Sequence, residues 1–268
     1  MEKFDRITDC NCFFGTNSLL PGLSVSEKNI VTYHEDLGTV SSNSTIILTD
    51  LLSVFYDPLE GDNRVAELIR RQNFLKGCLV FPNYFIGNET DFERYLIGRF
   101  QEGFRILRLY PKSHKYSISP WAFKDIFKIL KKFAVPVLIS LDELDITGNK
   151  AIDWDIIYTI AGEYPRIPFI LDGGNSKELM FTGYFFQLLS AAKNVFLESH
   201  NLLGFNQIED IVKKTDSSRI ILGSNYPIYP ELLAAKRVLF SRLSMEAKKN
   251  IVGGNIDRII NGISIKEK

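Results

Sequence analysis

The chain has 268 residues, 32 basic and 32 acidic side chains, and a pI near 6.8. With 45 % hydrophobic and 24 % charged residues it has the composition of a folded globular protein, which excludes a disordered chain. Zero net charge leaves no long-range field to capture a polyanion, and no apolar run reaches the ~18 residues of a membrane span, so neither nucleic acid nor a membrane is an expected partner.

Short apolar runs of the kind that form buried parallel strands alternate with longer segments of helical period. The first strand is expected at 6–10, after an N-terminus that lacks the basic-then-apolar layout of a signal peptide. Further strands are expected at 45–48, 77–81, 105–109, 136–140, 168–172, 194–198 and 219–223, with starts spaced by about 30 residues, the length of one βαβ unit. Between them lie helix signatures. Ser119-Pro120 is a helix start, followed by Ala122, Ile126, Ile129, Leu130 and Phe133 on one face. Trp154, Ile157, Ile160 and Ala161 form a second apolar stripe, and Met180, Tyr184, Leu188 and Leu189 a third. Gly173-Gly174 stands between a strand and a helix, where a tight turn needs glycine.

No linker-like stretch, charge block or shift in composition divides the chain. Eight strand–helix units in sequence predict an α/β fold, a (β/α)8 TIM barrel, in one domain spanning 1–268. A doubly wound open sheet would usually carry G-x-G-x-x-G after its first strand, and Asp9-Cys10-Asn11-Cys12-Phe13-Phe14-Gly15 does not match it. Three scattered cysteines, Cys10, Cys12 and Cys78, do not make a disulfide scaffold, and the odd count fits a reducing cytoplasm.

Reactive groups of a TIM barrel lie at the C-terminal ends of its strands. The candidates in chain order are Asp9, Asn11 and Phe13; Asp50; Asn83; Arg108, Tyr110 and Lys112; Ser140, Asp142 and Glu143; Asp172 and Asn175; Glu198 and His200; and Ser224 and Asn225. Strict alternation along the first strand would put Asp9, Asn11 and Phe13 on one face and both cysteines on the other, toward the helices. Arg108 is either a two-point clamp for an anion or a wall residue paired with a neighbouring acid. His200 is the only histidine at a strand end and so the candidate general base. His34 and His114 read as helix-end and loop residues, and of Tyr33, Tyr56, Tyr84 and Tyr110 any could line a pocket.

Several of these stretches carry a resemblance. Asp9 to Gly15 keeps the frame D-x-H-x-H-x-G with both histidines replaced. Gly61-Asp62-Asn63-Arg64-Val65-Ala66-Glu67 is similar to G-N-x-R-x-A-E, and Gly103 to Pro111 matches G-F-x-x-x-R-L-x-P. Arg219-Ile220-Ile221-Leu222-Gly223-Ser224-Asn225-Tyr226-Pro227 is close to R-x-x-x-G-S-D-Y-P, and Asn255 to Ile259 echoes N-A-x-R-L. In this order the motifs resemble the amidohydrolase superfamily, in its amidohydrolase-2 branch of metal-dependent hydrolases and decarboxylases.

The resemblance implies a catalytic divalent metal held by four histidines and an aspartate, the aspartate also acting as general base. The matching positions here are Asn11, Phe13, Ser140, Asp172 and Asn225. A phenyl ring donates nothing, neutral amides are poor zinc ligands, and an asparagine takes no proton from water near neutral pH. The resulting expectation is a pseudoenzyme-like barrel with a degenerate metal site and no cofactor. It would bind a small ligand, anionic in one version, through Asn11, Arg108, Tyr110, Ser140 and Asn225. The alternative is an active hydrolase or decarboxylase with a non-standard or absent metal site. It would use Asp172 and His200 for catalysis, with zinc or another divalent ion as its only expected cofactor. An acidic trio of Asp9, Asp172 and Glu198 is a further option for a cation. The resemblance also allows a homo-dimer.

Overall fold

The computed structural model describes residues 3–16, 22–145, 152–174 and 183–267. Its sheet contains β1 (Ile7–Thr16), β2 (Ser24–Val25), β3 (Ser44–Asp50), β4 (Leu75–Val80), β5 (Phe104–Leu109), β6 (Val137–Ser140), β7 (Phe169–Asp172), β8 (Val195–Glu198) and β9 (Ile220–Ile221). They run in the order β2-β1-β3-β4-β5-β6-β7-β8-β9. All neighbours are parallel except the short β2, which returns antiparallel along Gly15 and Thr16.

The ladder is not continuous between the last strand and the first. Backbone hydrogen bonds join them nonetheless: Cys10 donates to Leu222 at 3.0 Å, Asn225 to Asn11 at 2.8 Å and Phe13 to Tyr226 at 2.9 Å. The curled sheet is thereby drawn round to its own first strand, as the sequence expectation of a (β/α)8 barrel requires, and an open doubly wound sheet is excluded.

Helices cover the outside: α1 (Glu27–Leu37), α2 (Leu51–Phe55), α3 (Pro58–Arg71), α4 (Glu89–Gln101), α5 (Pro120–Phe133), α6 (Trp154–Glu163), α7 (Gly183–Ala191), α8 (Gln207–Lys214), α9 (Leu233–Phe240), α10 (Met245–Lys249) and α11 (Asn255–Asn261). Side chains set several starts. Ser26 and Asn29 form a reciprocal capping box on α1, and the Asp50 and Asp57 carboxylates accept from the first free amides of α2 and α3. The predicted stripe of α5 is buried at Ile126, Ile129 and Leu130. On α7, Leu188 and Leu189 are buried but Tyr184 is exposed and stacks on Trp154, while Met180 lies outside the described residues.

Strands buried on both faces make two apolar layers. The inner one joins Cys10, Ile47, Cys78, Ile106, Leu138, Ile170 and Ile221 across the barrel, with Ile256 and Ile259 of α11 packed against them. The outer layer holds alternate residues such as Ile46, Leu48, Leu79, Leu107 and Leu171 with the helices.

The first strand departs from strict alternation. Its register shifts between Asp9 and Cys12, a β-bulge. Cys10 therefore joins the inner layer while Cys12 packs outside, and the two thiols do not share a face. The Asp9 carboxylate accepts from Tyr33 of α1 at 2.6 Å, from the Cys12 thiol at 2.9 Å and from the backbone amides of Asn11 and Ser224. Asp9 is thus a buried tie between α1, β1 and the segment after β9, and the expectation that it shares a face with Asn11 is corrected. No helix among the described residues is long and apolar enough to cross a membrane.

Candidate functional site

The strand ends carry a polar layer above the apolar one. Arg108, near the end of β5, is buried with its guanidinium between two rings, 5.0 Å from the Phe13 centroid and 5.3 Å from that of Tyr110. One terminal nitrogen donates to the Asn11 amide oxygen at 2.7 Å and the other to Asp172 Oδ2 at 2.7 Å. The Asn11 amide nitrogen donates in turn to Glu198 Oε2 at 3.2 Å. Glu198 accepts from the His200 ring Nδ1 on the same oxygen and from the His200 backbone amide on the other. The second ring nitrogen of His200 lies 3.1 Å from the Gly174 carbonyl, and the Gly174 amide donates to Asp172 Oδ1 at 2.8 Å.

These contacts close a ring: Asp172, Arg108, Asn11, Glu198, His200, Gly174 and back to Asp172. Its side chains come from β7, β5, β1 and β8 and from the loop after β8. All five are buried.

Charge is balanced within it. Both ring nitrogens of His200 face acceptors, which only the doubly protonated imidazolium satisfies. Burial opposes that charge, but the Glu198 carboxylate and Asp172 outweigh it and push the pKa up to about 9. Burial likewise opposes the Arg108 charge and is outweighed by Tyr110, Asp172 and Glu198, so its pKa lies above the ordinary range. Two cations thus face two carboxylates.

Two glycines allow the ring to form. Gly174 has φ +55°, and a Cβ there would sit 2.3 Å from Asp142 Oδ2 and 2.5 Å from Ser140 Oγ. At Gly223 a Cβ would fall 2.1 Å from Glu198 Oε1.

Beside the ring a cavity of about 260 Å³ opens at the strand C-termini. Arg108, Tyr110, Ser140, Asp172 and Asn225 line it, with Phe13 and the α2 residues Leu51, Val54 and Phe55. Asp142 and Glu143 of the short helical turn Leu141–Leu144 complete the polar part of the wall. Glu143 is held by the Ser113 amide at 2.9 Å and hydroxyl at 2.5 Å. A larger depression of about 810 Å³ lies at the other end of the barrel, near Pro168 and Asn194, which precede strands. Barrel chemistry belongs at the C-terminal end, so the smaller cavity is the candidate site.

Five of the seven predicted site residues thus line one cavity. Asn11 and His200 are not among the described residues that line it. Both amide atoms of Asn11 are engaged inside the ring. Both ring nitrogens of His200 face acceptors, Glu198 and the Gly174 carbonyl, inside the ring. Arg108 is the paired wall residue and not a free two-point clamp, because both terminal nitrogens are engaged. Asp172 is on the cavity wall, but each of its oxygens accepts a hydrogen bond. The acidic trio does not form, since Asp9 faces α1 and Arg108 and Asn11 stand between Asp172 and Glu198. Asn175 lies outside the described residues. No motif in the sequence marks α2, Ser113 or Gly174 as part of the site. Only the tight-turn signal of Gly173-Gly174 pointed toward one of them.

His34 lies in the last turn of α1 and His114 in a turn after β5, as expected; His34 contacts Ser44 Oγ at 2.8 Å and His114 the Val54 carbonyl at 2.7 Å. Of the tyrosines, Tyr110 lines the cavity, Tyr33 is core, and Tyr56 and Tyr84 are exposed.

The residues do not fit the divalent metal that the sequence resemblance implies. Among the described residues no group of three or more His, Cys, Asp or Glu side chains is placed to hold a metal ion. A cation at Asn11 and Asp172 would meet the Arg108 guanidinium already bonded to both. Burial and the Asp9 carboxylate push the Cys12 thiol up, and burial and Glu198 do the same for Cys10, so neither supplies a thiolate.

No family model matches the chain, and no curated protein sequence matches it. Solved structures do. A 2,6-dihydroxybenzoate decarboxylase complexed with 2,6-dihydroxybenzoate superposes with a TM-score of 0.71 at 11 % identity, covering 97 % of this chain and 99 % of that one. A dihydroxybenzoic acid decarboxylase from Polaromonas sp. JS666, with bound manganese and the inhibitor 2-nitroresorcinol, gives 0.68 at 13 %, covering 97 % of each. A putative amidohydrolase from Staphylococcus aureus gives 0.70 at 12 %, covering 96 % and 99 %. The chain therefore has the TIM-barrel fold that these decarboxylases and amidohydrolases share.

Proposed function

We propose that this protein binds a small molecule in the barrel-mouth cavity without metal-dependent hydrolysis. The observation that carries the reading is the closed ring. Arg108 and His200 supply two positive charges to Asp172 and Glu198, and among the described residues no group of three or more His, Cys, Asp or Glu side chains is placed to hold a metal ion. A buried charge pair is costly to open, because removing one member leaves the other uncompensated. A hydrolase or decarboxylase of the inherited type would need a cation where the guanidinium stands. It would also need a base, which Asn225 and a protonated His200 do not provide.

The aromatic wall of Phe13, Phe55 and Tyr110 and the size of the cavity support a ligand of about one ring. The complex of the similar decarboxylase with 2,6-dihydroxybenzoate supports the same scale. Three unpaired, buried thiols support a cytoplasmic setting.

The test is a thermal-shift and calorimetric screen of one-ring compounds against protein treated with chelator, repeated on Val54→Trp, which fills the cavity from α2. Saturable binding that the substitution abolishes, with the far-UV spectrum unchanged, is expected. Binding that needs added metal, or turnover of ester, amide or aromatic acid substrates, would overturn the reading.

A further inference from the structure

We propose that Asp62 is a proton-operated latch on helix α2: protonated, it holds this wall of the cavity shut, and ionised, it releases it. The latch stands on its own geometry, while its effect on ligand access rests on the functional reading above. Asp62, in the second turn of α3, is fully buried. Its carboxyl meets hydroxyls, with Oδ1 3.2 Å from Ser53 Oγ and Oδ2 accepting from the Tyr95 hydroxyl at 2.9 Å. Arg99 of α4 is near, but its terminal nitrogens go to Glu102 at 3.0 Å and to Asn63. Ser53 fixes where the proton sits. Its hydroxyl faces two oxygens, Asp62 Oδ1 and the Pro58 carbonyl at 3.4 Å, and has one hydrogen to give. A carbonyl cannot donate, so both contacts are hydrogen bonds only when Asp62 carries a proton on Oδ1 and donates it to Ser53.

Ser53 is the middle residue of α2, whose Leu51, Val54 and Phe55 line the cavity. The helix lies directly on α3: a Cβ at Gly61 would fall 2.1 Å from Ser53 Oγ and 2.5 Å from the Ser53 nitrogen. Lifting α2 therefore takes Ser53 off Asp62 and lets water reach the carboxyl. Burial pushes the Asp62 pKa up to about 8, against the Tyr95 hydrogen bond and the attraction of Arg99. The closed helix thus keeps a proton that the open one gives up at neutral pH, so rising pH favours opening. The other titratable groups around Asp62 do not change charge in this range. Burial raises Tyr95, Tyr84 of the turn after β4 and the Cys78 thiol of β4. Asp50, which starts α2 opposite Arg64 and Glu60 of α3, is raised by burial only to about 6.

The experiment is amide hydrogen exchange of the intact chain from about pH 5 to about pH 9, corrected for the intrinsic rate. It is read at Tyr56 and Asp57, whose amides both donate to the Leu52 carbonyl of α2 at 2.9 Å. Their protection is expected to fall by up to about tenfold per pH unit and to level off near pH 8, where Asp62 is ionised in both states. Asp62→Asn stays neutral, and its amide can donate to Ser53 and accept from Tyr95 as the protonated carboxyl does. In that variant the fall between about pH 6 and about pH 8 should vanish. A change of less than about twofold across those two pH units in the parent, or the same fall in Asp62→Asn, would overturn the latch. Neither reading needs a ligand, so the latch can fail while the cavity still binds one, and the reverse.

Discussion

Arg108 holds the mouth of this barrel together. Its guanidinium lies between Phe13 and Tyr110, and its two terminal nitrogens reach different acceptors on different strands. Arg108→Met should therefore destabilise the protein by about 3–5 kcal/mol in urea unfolding, the cost of breaking a buried pair from one side. Adding Asp172→Leu should recover part of that loss, because the stranded carboxylate is gone. A single variant within about 0.5 kcal/mol of the parent would show the pair to be dispensable.

His200 gives a pH signature. Its pKa is about 9 in the fold, against about 6.5 for a free imidazole. The stabilisation is fully present below about 6.5 and is lost as pH rises through about 9. The melting temperature should fall between those values, and His200→Asn should flatten the fall within that window. Gly174 is constrained from two sides, by its positive φ and by Asp142 and Ser140 against its α-carbon. Gly174→Ala should cost more than about 1 kcal/mol and abolish probe binding in the cavity.

At the residue scale the sequence exposed the chemistry through what was missing. Asn11, Phe13 and Asn225 stand where the resemblance calls for ligands, and residue type alone says they are poor ones. What replaces a metal was not legible. The link from Arg108 to Asp172 spans 64 residues and that from Asn11 to Glu198 spans 187, and such pairs appear only once the strands are laid side by side.

Among the elements, β1 and α2 hold the surprises. A period of two assigns strand faces only while the register is unbroken, and the bulge between Asp9 and Cys12 breaks it. That single irregularity puts Cys10 inside and Cys12 outside. It also frees Asp9 to receive Tyr33. Helix α2, of five residues, is too short for a periodic signal. Its start is fixed by the Asp50 carboxylate, which accepts from the Leu52 amide at 2.8 Å and faces Arg64 of α3 at 3.2 Å. Its Val54 carbonyl contacts His114. Asp50→Ala should cost about 1 kcal/mol of capping energy and speed amide exchange at residues 52–56, whereas Asp50→Asn should keep most of the protection. Equal exchange in the two variants would show that the cap does not secure this wall of the cavity.

Over the whole molecule the barrel was the most readable feature, because eight apolar runs with a regular spacing leave few ways to bury both faces of every strand. Motifs that carry the family resemblance prove to be scaffold. Arg219 donates to the carbonyls of Leu189, Ala192 and Val195, tying α7 to β8. Asn255 donates to Ser217 and Ile220, both at 2.7 Å, and Asp62 accepts from Ser53 at 3.2 Å and Tyr95 at 2.9 Å. The frame is thus kept by its own hydrogen bonds, while at the strand ends two cationic side chains face two carboxylates.

Elemental analysis of protein purified without chelator tests this most directly. Far less than one equivalent of any transition ion per chain is predicted, with a melting temperature unchanged by chelator. About one equivalent of zinc or manganese, lost together with several degrees of melting temperature on chelation, would contradict it.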